Sequence, residues 1–332
     1  MRETLKNKCI SFIENRDVFK SAFPWESAYY YPICASFFVE NNKLADAEQL
    51  KRCRKLLKDR VNVFSNFRSH AELSVVAMLA LSPEPESRLD EALEVYNGLK
   101  EHFWGSEYLP IAAMILSEQV KREKYGEICD RTRRIYDLMK KEHPFLTSSE
   151  DSVFAAMLAL SEATEEEILR ETEDCYAVLK EKFFDKNAIQ SLSHVLALSN
   201  DGMRTAHDKC RDTMKLFDVL KDKKHKYGTG YELATLGVLA ILPCGMDETV
   251  RDLVEVSEFL KTQKGYGFFG TFDRAQRLMH AAMIVTSEHL GASNAMTGAA
   301  FGSTLSLIAA QQAATCAAIA ASVAAANAAS NT

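Results

Sequence analysis

No two of the eight cysteines lie closer than 19 positions, and none of them forms a C-x-x-C pair. That spacing excludes zinc-ribbon and thioredoxin-type sites. Most of the thiols fall inside helical patterns, where a reduced cysteine behaves as a small apolar residue. The H-E-x-x-H and Glu-x-x-His helix pairs of metal centres are missing too. So are a nucleophile–base pair, a phosphate loop and a cofactor fingerprint. Neither a metal nor a cofactor is expected. Period-two runs rich in Val, Ile and Thr are almost absent, which removes sheet from the reading. The opening MRETLKNKCISFIENRD is charged throughout and has no apolar core of a signal peptide, so a cytoplasmic location is expected. A net charge of −6 gives no reason to expect nucleic acid or an anionic membrane as partner.

What the chain does have is repetition. Val76-Ala77-Met78-Leu79-Ala80-Leu81-Ser82 returns as Ala155-Ala156-Met157-Leu158-Ala159-Leu160-Ser161, a shift of 79. Tyr96-x-x-Leu99-Lys100-Glu101-x-Phe103 returns as Tyr176-x-x-Leu179-Lys180-Glu181-x-Phe183, a shift of 80. A weaker third copy begins at Tyr231. Apolar helices are predicted near 28–39, 70–81, 106–117, 150–160, 187–199, 230–241 and 273–286. Charged amphipathic helices are predicted near 1–24, 46–61, 88–102, 126–141, 165–182, 204–221 and 247–262. One apolar and one charged helix together occupy about 40 residues, the length of a two-helix repeat. The expected fold is all-α: a two-layer α-solenoid, or α/α superhelix, of hairpins of about 40 residues in a double unit of about 80. Its hand is not written in the sequence. The first helix suits a cap, with one polar face toward water.

Two segments are expected: a helical-repeat domain over 1–289 and an uncharged, alanine-rich tail over 290–332. From Leu290 to Thr332 there are 43 residues without one Asp, Glu, Lys, Arg or His, and 17 of them are alanine. Residues 304–326 suit a helix, and 291–302 read as a glycine-bearing linker. Gln311-Gln312 and the alanine content make membrane insertion marginal. Self-packing, an oligomer helix and a disordered tail stay open.

The phrases HPFLTSSEDSVFAAMLAL, NAIQSLSHVLAL and YELATLGVLAIL, with IAAQQAA in the tail, resemble the bacterial family known as domain of unknown function 4003. The resemblance runs from about Val61 into the tail and rests on helix-turn phrases, not on a catalytic signature. It implies a soluble bacterial protein and no assigned activity, substrate or catalytic residue.

Candidate site residues follow from the helix starts and the apolar helices. Ser69-x-x-Glu72, Thr164-x-x-Glu167, Thr229-x-x-Glu232 and Ser148-x-x-Asp151 fit the capping box, in which hydroxyl and carboxyl satisfy free backbone N–H groups reciprocally. Glu72, Asp151 and Glu232 recur in register, so a row of carboxylates for a cation or basic ligand is the alternative to capping. Gln190-x-x-x-His194 and Gln276-x-x-x-His280 each place an amide and an imidazole on one helix face. Each pair either faces a groove or bonds into the core. His143 either caps the preceding helix or joins His194 and Asp151 in an acid–base or metal cluster. Phe103-Trp104, Phe183-Phe184 and Phe268-Phe269 read as anchors packed between hairpins. The basic clusters at 51–58, 131–134 and 221–226 read as solvated faces. The leading functional expectation is a non-catalytic scaffold holding a peptide or protein partner in a concave groove. The alternative is an enzyme with its site in that concavity, built on His194, Asp151, Gln190, His280 and Glu232. Oligomeric state stays open.

Overall fold

The computed structural model describes residues 1–103, 108–199, 204–268, 270–293 and 300–330, with backbone only for 291–293, 300–309 and 311. Among the described residues there are fifteen α-helices and no strand. The half-exposed helices are α1 (Glu3–Ala22), α3 (Ala47–Arg60), α5 (Pro85–His102), α7 (Tyr125–Glu142), α9 (Glu165–Leu179), α11 (Ala206–Asp222) and α13 (Met246–Lys261). The buried ones alternate with them: α2 (Tyr30–Glu40), α4 (Glu72–Leu81), α6 (Leu109–Gln119), α8 (Asp151–Ala159), α10 (Lys186–Leu198), α12 (Leu233–Ala240) and α14 (Arg274–Ser293). α15 (Ala300–Ser330) follows.

Local sequence explains the division. In α3 the Asp46 carboxylate accepts from Gln49 N–H and starts the helix, and Leu50, Cys53 and Leu57 form its buried stripe. Val61, expected at the end of that stripe, is instead the extended C-cap. α8 has no polar side: every residue from Asp151 to Ala159 is buried. A helix apolar all round must be covered on all sides.

The chain forms two compact units. The first comprises residues 1–16, 27–44 and 170–332, and the second 17–26 and 45–169. In the second, α3, α5 and α7 lie side by side as one layer, and α4, α6 and α8 as the other. In the first, α10 packs on α12, α12 on α14, and α14 on α2.

The N-terminal pair is not a free cap. The Lys8 ammonium donates to the Val39 carbonyl at 2.7 Å and to Ser287 Oγ at 3.0 Å. Met1 pairs through its amino group with Glu255 at 3.1 Å, and Arg16 donates to the Lys264 carbonyl at 2.9 Å. The charges of α1 that suggested a water-facing end satisfy α2, α13 and α14 instead. A charged helix surface fits either place, and only the partners decide.

The tail packs on its own chain. α15 crosses α2, α10, α12 and α14, and Ala313, Ala314, Cys316, Ala317, Ala318 and Ile319 are buried. Of the states open for the tail, self-packing is the one observed. Half of the linker expected over 291–302, residues 294–299, lies outside the described residues; the other half is helix instead, 291–293 belonging to α14 and 300–302 to α15. One stretch, Gln312–Ser330, is long and apolar enough to cross a membrane by length and composition, and 56% of it is buried inside the fold.

A buried lysine ties three helices of the first unit together. Lys209 is 1% exposed. Its ammonium donates to the Leu196 carbonyl at the end of α10 at 2.8 Å and pairs with Glu171 of α9 at 2.6 Å.

Candidate functional site

Three of the sequence-derived candidates meet at one cavity in the first unit. It has a volume of about 190 Å³ and is walled by Tyr29, Tyr231, Glu232, Asp273, Gln276 and His280, with Ala321, Ser322, Ala324 and Ala325 of α15 across from them. The wall is built by two helix starts. At α14, Asp273 Oδ1 accepts from Gln276 N–H at 2.9 Å, and Gln276 Oε1 accepts from Asp273 N–H at 3.2 Å. This reciprocal cap fixes both side chains at the cavity mouth. At α12, Glu232 takes the N-cap position, and its carboxylate accepts from Gly230 N–H at 3.1 Å. Thr229 therefore does not make the expected box.

Gly228 and Gly230 wrap this carboxylate closely. A Cβ at Gly228 would stand 2.7 Å from Glu232 Oε2, and one at Gly230 would stand 3.0 Å away. A side chain at either position would push the Glu232 carboxylate aside, and at Gly228 it would also crowd the Ala275 Cβ at 3.0 Å. Burial raises the Glu232 carboxyl above the usual range, the bond from Gly230 opposes this, and the neighbouring charges of Asp273 and Asp185 add to it.

His280 stands behind that mouth as a core residue. Its Nδ1 shares a hydrogen bond of 2.9 Å with the Tyr266 hydroxyl, and its ring is boxed by Phe12 and Phe272. Burial, with the Arg16 charge nearby, pushes the imidazole down to about 3, so it stays neutral at physiological pH. Gln190 and His194 are both buried on α10, away from this cavity.

The remaining candidates lie in the second unit. His143 is the C-cap of α7, its N–H bonded to the Met139 carbonyl. Asp151 starts α8 and accepts from Ser148 N–H at 2.7 Å, one half of the expected box. Glu72 is ion-paired with Arg54, and the Ser69 hydroxyl donates to the Asn66 carbonyl, so no box forms there either. At Thr164 and Glu167 the box is complete.

Burial pushes the Asp151 carboxyl up to about 7; the Ser148 N–H bond pulls it down, the Glu150 charge adds to the rise and Lys140 opposes it. A folded carboxyl above its unfolded value of about 3.9 binds a proton more readily when folded. Its contribution to stability is therefore present below about pH 4 and is lost as pH rises toward 7. Asp151→Asn keeps an acceptor for Ser148 N–H and removes that titration. The variant is expected to gain stability relative to wild type between about pH 4 and 7 and to hold the difference above. Urea midpoints of the two proteins across this range measure it, and parallel curves would sink the assignment.

Among the described residues, the one grouping of three metal-capable side chains is Glu248, Asp252 and His289, in the first unit. None of the sequence candidates belongs to it. The Arg2 guanidinium lies on it, 3.3 Å from Glu248 and also bonded to Asp252, whose side chain is fully buried. His289 Nε2 is 3.4 Å from Asp252 and 3.6 Å from Cys244 Sγ. The grouping is an ion-pair network joining Arg2, just before α1, to α13 and α14.

Of the aromatic pairs, Phe103 and Phe183 are anchors, edge-on to Tyr136 and Phe217. Phe184 and Phe268 point the other way, into solvent. Trp104 and Phe269 lie outside the described residues. Sequence reasoning missed Tyr266, Asp273, Tyr29 and Tyr231; only Asp273 had a usable signal, the Asp-x-x-Gln spacing before an apolar run.

Residues 15–313 match the family described as "Protein of unknown function (DUF4003)". The chain is also 22% identical over 290 residues to "Uncharacterized protein YeaA" of Bacillus subtilis (strain 168), covering 85% of this chain and 84% of that one. No solved structure matches.

Proposed function

We propose, for a chain that belongs to the DUF4003 family of proteins of unknown function, a helical-repeat scaffold whose buried layer receives an apolar, small-residue helix. In this reading the hairpins form a superhelical array, and α15 is the occupant that the chain itself supplies. One observation carries it: α15 lies across α2, α10, α12 and α14, with its small side chains buried against them. Helix-in-groove binding needs an apolar trough and an occupant slim enough to approach it closely. Alanine provides that closeness, and the absence of charge leaves no face of α15 that must stay in water. A partner helix of the same character would compete for the trough.

The test uses a full-length variant in which Ala314→Arg and Ala318→Arg put charge on the buried face and expel α15. A labelled peptide of residues 304–330 is expected to bind this variant and not the wild type, read by fluorescence anisotropy. Equal binding to both, or to neither, would reject the groove.

A second reading rests on Glu232. A carboxyl held above its usual range beside Asp273, in a cavity lined by phenols, suits acid–base chemistry on a small polar substrate. His280 has no part in that reading, being neutral and bonded to Tyr266.

A further inference from the structure

Exposed rings on this chain follow a rule. Among the described residues, five aromatic side chains are more than nine-tenths exposed: Trp25 at 96%, Phe64 at 93%, Phe145 at 99%, Phe184 at 91% and Phe268 at 96%. Each lies in a turn leading from a half-exposed helix into a buried one: α1 to α2, α3 to α4, α7 to α8, α9 to α10 and α13 to α14. None lies in a turn of the opposite sense. Scattered exposed apolar residues need no explanation, but recurrence at one repeat position does.

In the first unit the turns of this sense are basic, the α11-to-α12 turn, which carries no exposed ring, among them. Stretches 180–186, 221–226 and 261–274 hold ten Lys or Arg against four Asp or Glu, in a chain whose net charge is −6. The turns are neighbours: Lys182 pairs with Asp218 near the end of α11 at 2.6 Å, and His225 lies 3.9 Å from Glu258 of α13. The helices they enter, α10, α12 and α14, pack side by side. A helix dipole accounts for a lysine in a last turn. It does not account for Lys223, Lys224 and Lys226, which lie beyond the end of α11 and are exposed. Nor does it place two phenyl rings in water.

We infer that this edge of the first unit docks on an anionic lipid surface, with Phe184 and Phe268 entering the interface and the lysines meeting the headgroup phosphates. Rings at turn tips, flanked by ammonium groups on flexible stems, are the pattern that a bilayer interface accepts. Negative lipid attracts such a polybasic edge whatever the charge of the rest of the chain, because the attraction dies away within about a Debye length. A base-stacking site would need rings laid along a groove among the charges. Here the two rings stand at separate tips, which favours lipid over nucleic acid. The inference does not depend on the groove reading.

The experiment is sedimentation of the full-length protein with vesicles of phosphatidylcholine alone and with about a third phosphatidylglycerol, at low and high salt. Binding is expected only to the phosphatidylglycerol vesicles and to fall at least tenfold in high salt. Phe184→Ser with Phe268→Ser should lower it at least tenfold. Gln at Lys221, Lys223, Lys224 and Lys226 should do the same. All these positions are exposed, and melting midpoints confirm that the variants fold. Lys51→Gln with Lys55→Gln on α3 should change nothing. Absence of binding to phosphatidylglycerol vesicles would overturn the inference. So would binding that survives both sets of substitutions, which would point to insertion of α15. Retention of a single-stranded oligonucleotide by the wild type, with the vesicles ignored, would replace lipid by nucleic acid.

Discussion

Truncation after Leu290 is expected to lower the melting midpoint by about 10 °C and to create a dye-binding apolar surface. The cut removes α15 and uncovers the sides of α2, α10, α12 and α14 on which it lies. Ile319 and Val323 are each worth roughly 1.5–3 kcal/mol when buried, and a buried methyl about 0.8 kcal/mol. Several alanines and Cys316 add to these. The entropy of ordering the segment offsets much of the sum, leaving a net loss of several kcal/mol. In a protein of this size each kcal/mol shifts the midpoint by about 2–4 °C. Circular dichroism melts and dye fluorescence of the two chains provide the test. A midpoint within a degree of wild type, without dye binding, would mean that α15 contributes nothing to the fold. That is the outcome its lack of charge and separate composition suggest from sequence alone.

Lys209→Ala should cost about 1.5–3 kcal/mol, the worth of charge-assisted hydrogen bonds made by a buried ammonium, because the Glu171 carboxylate it leaves behind is 31% exposed and partly solvated. The Lys209 ammonium reaches both Glu171 and the Leu196 carbonyl, so the substitution loosens α9, α10 and α11 from one another. Lys209→Met should recover part of the loss, because it restores the buried stem without the charge. Urea unfolding of the three proteins separates the two contributions. A loss below about 1 kcal/mol for the alanine variant would place Lys209 among ordinary surface charges.

Much of the helix order is readable from periodicity. The stripe Leu50, Cys53, Leu57 and the unbroken apolar run of α8 announce a half-exposed and a fully buried helix, and both are found so. Lys209 shows where the reading ends. It occupies a stripe position between Ala206 and Thr213, where pattern alone sends a lysine to water. The place of α15 was hidden for a related reason. Periodicity works through contrast between polar and apolar faces, and an uncharged alanine helix has almost none. At the candidate site, Glu232, Gln276 and His280 were visible as helix-start and same-face residues. Tyr266, whose hydroxyl shares a hydrogen bond with His280, comes from a loop whose approach no spacing rule encodes.

Arg2 meets Asp252, 250 residues further along the chain. On a ribosome that separation becomes time: α1 and α2 emerge long before α13, α14 and α15 are made. The second unit is drawn mainly from one run of sequence, 45–169, and all of its chain has been made before α13 appears. The first unit stays incomplete until α14 and α15 have been made, with the apolar α2 waiting for both. Contacts of such high sequence separation also slow refolding from denaturant. Nascent chains stalled far enough beyond residue 170 for the second unit to have cleared the ribosome, but before α14, should therefore contain a protease-resistant second unit, while residues 27–44 remain open to cleavage and to chaperones.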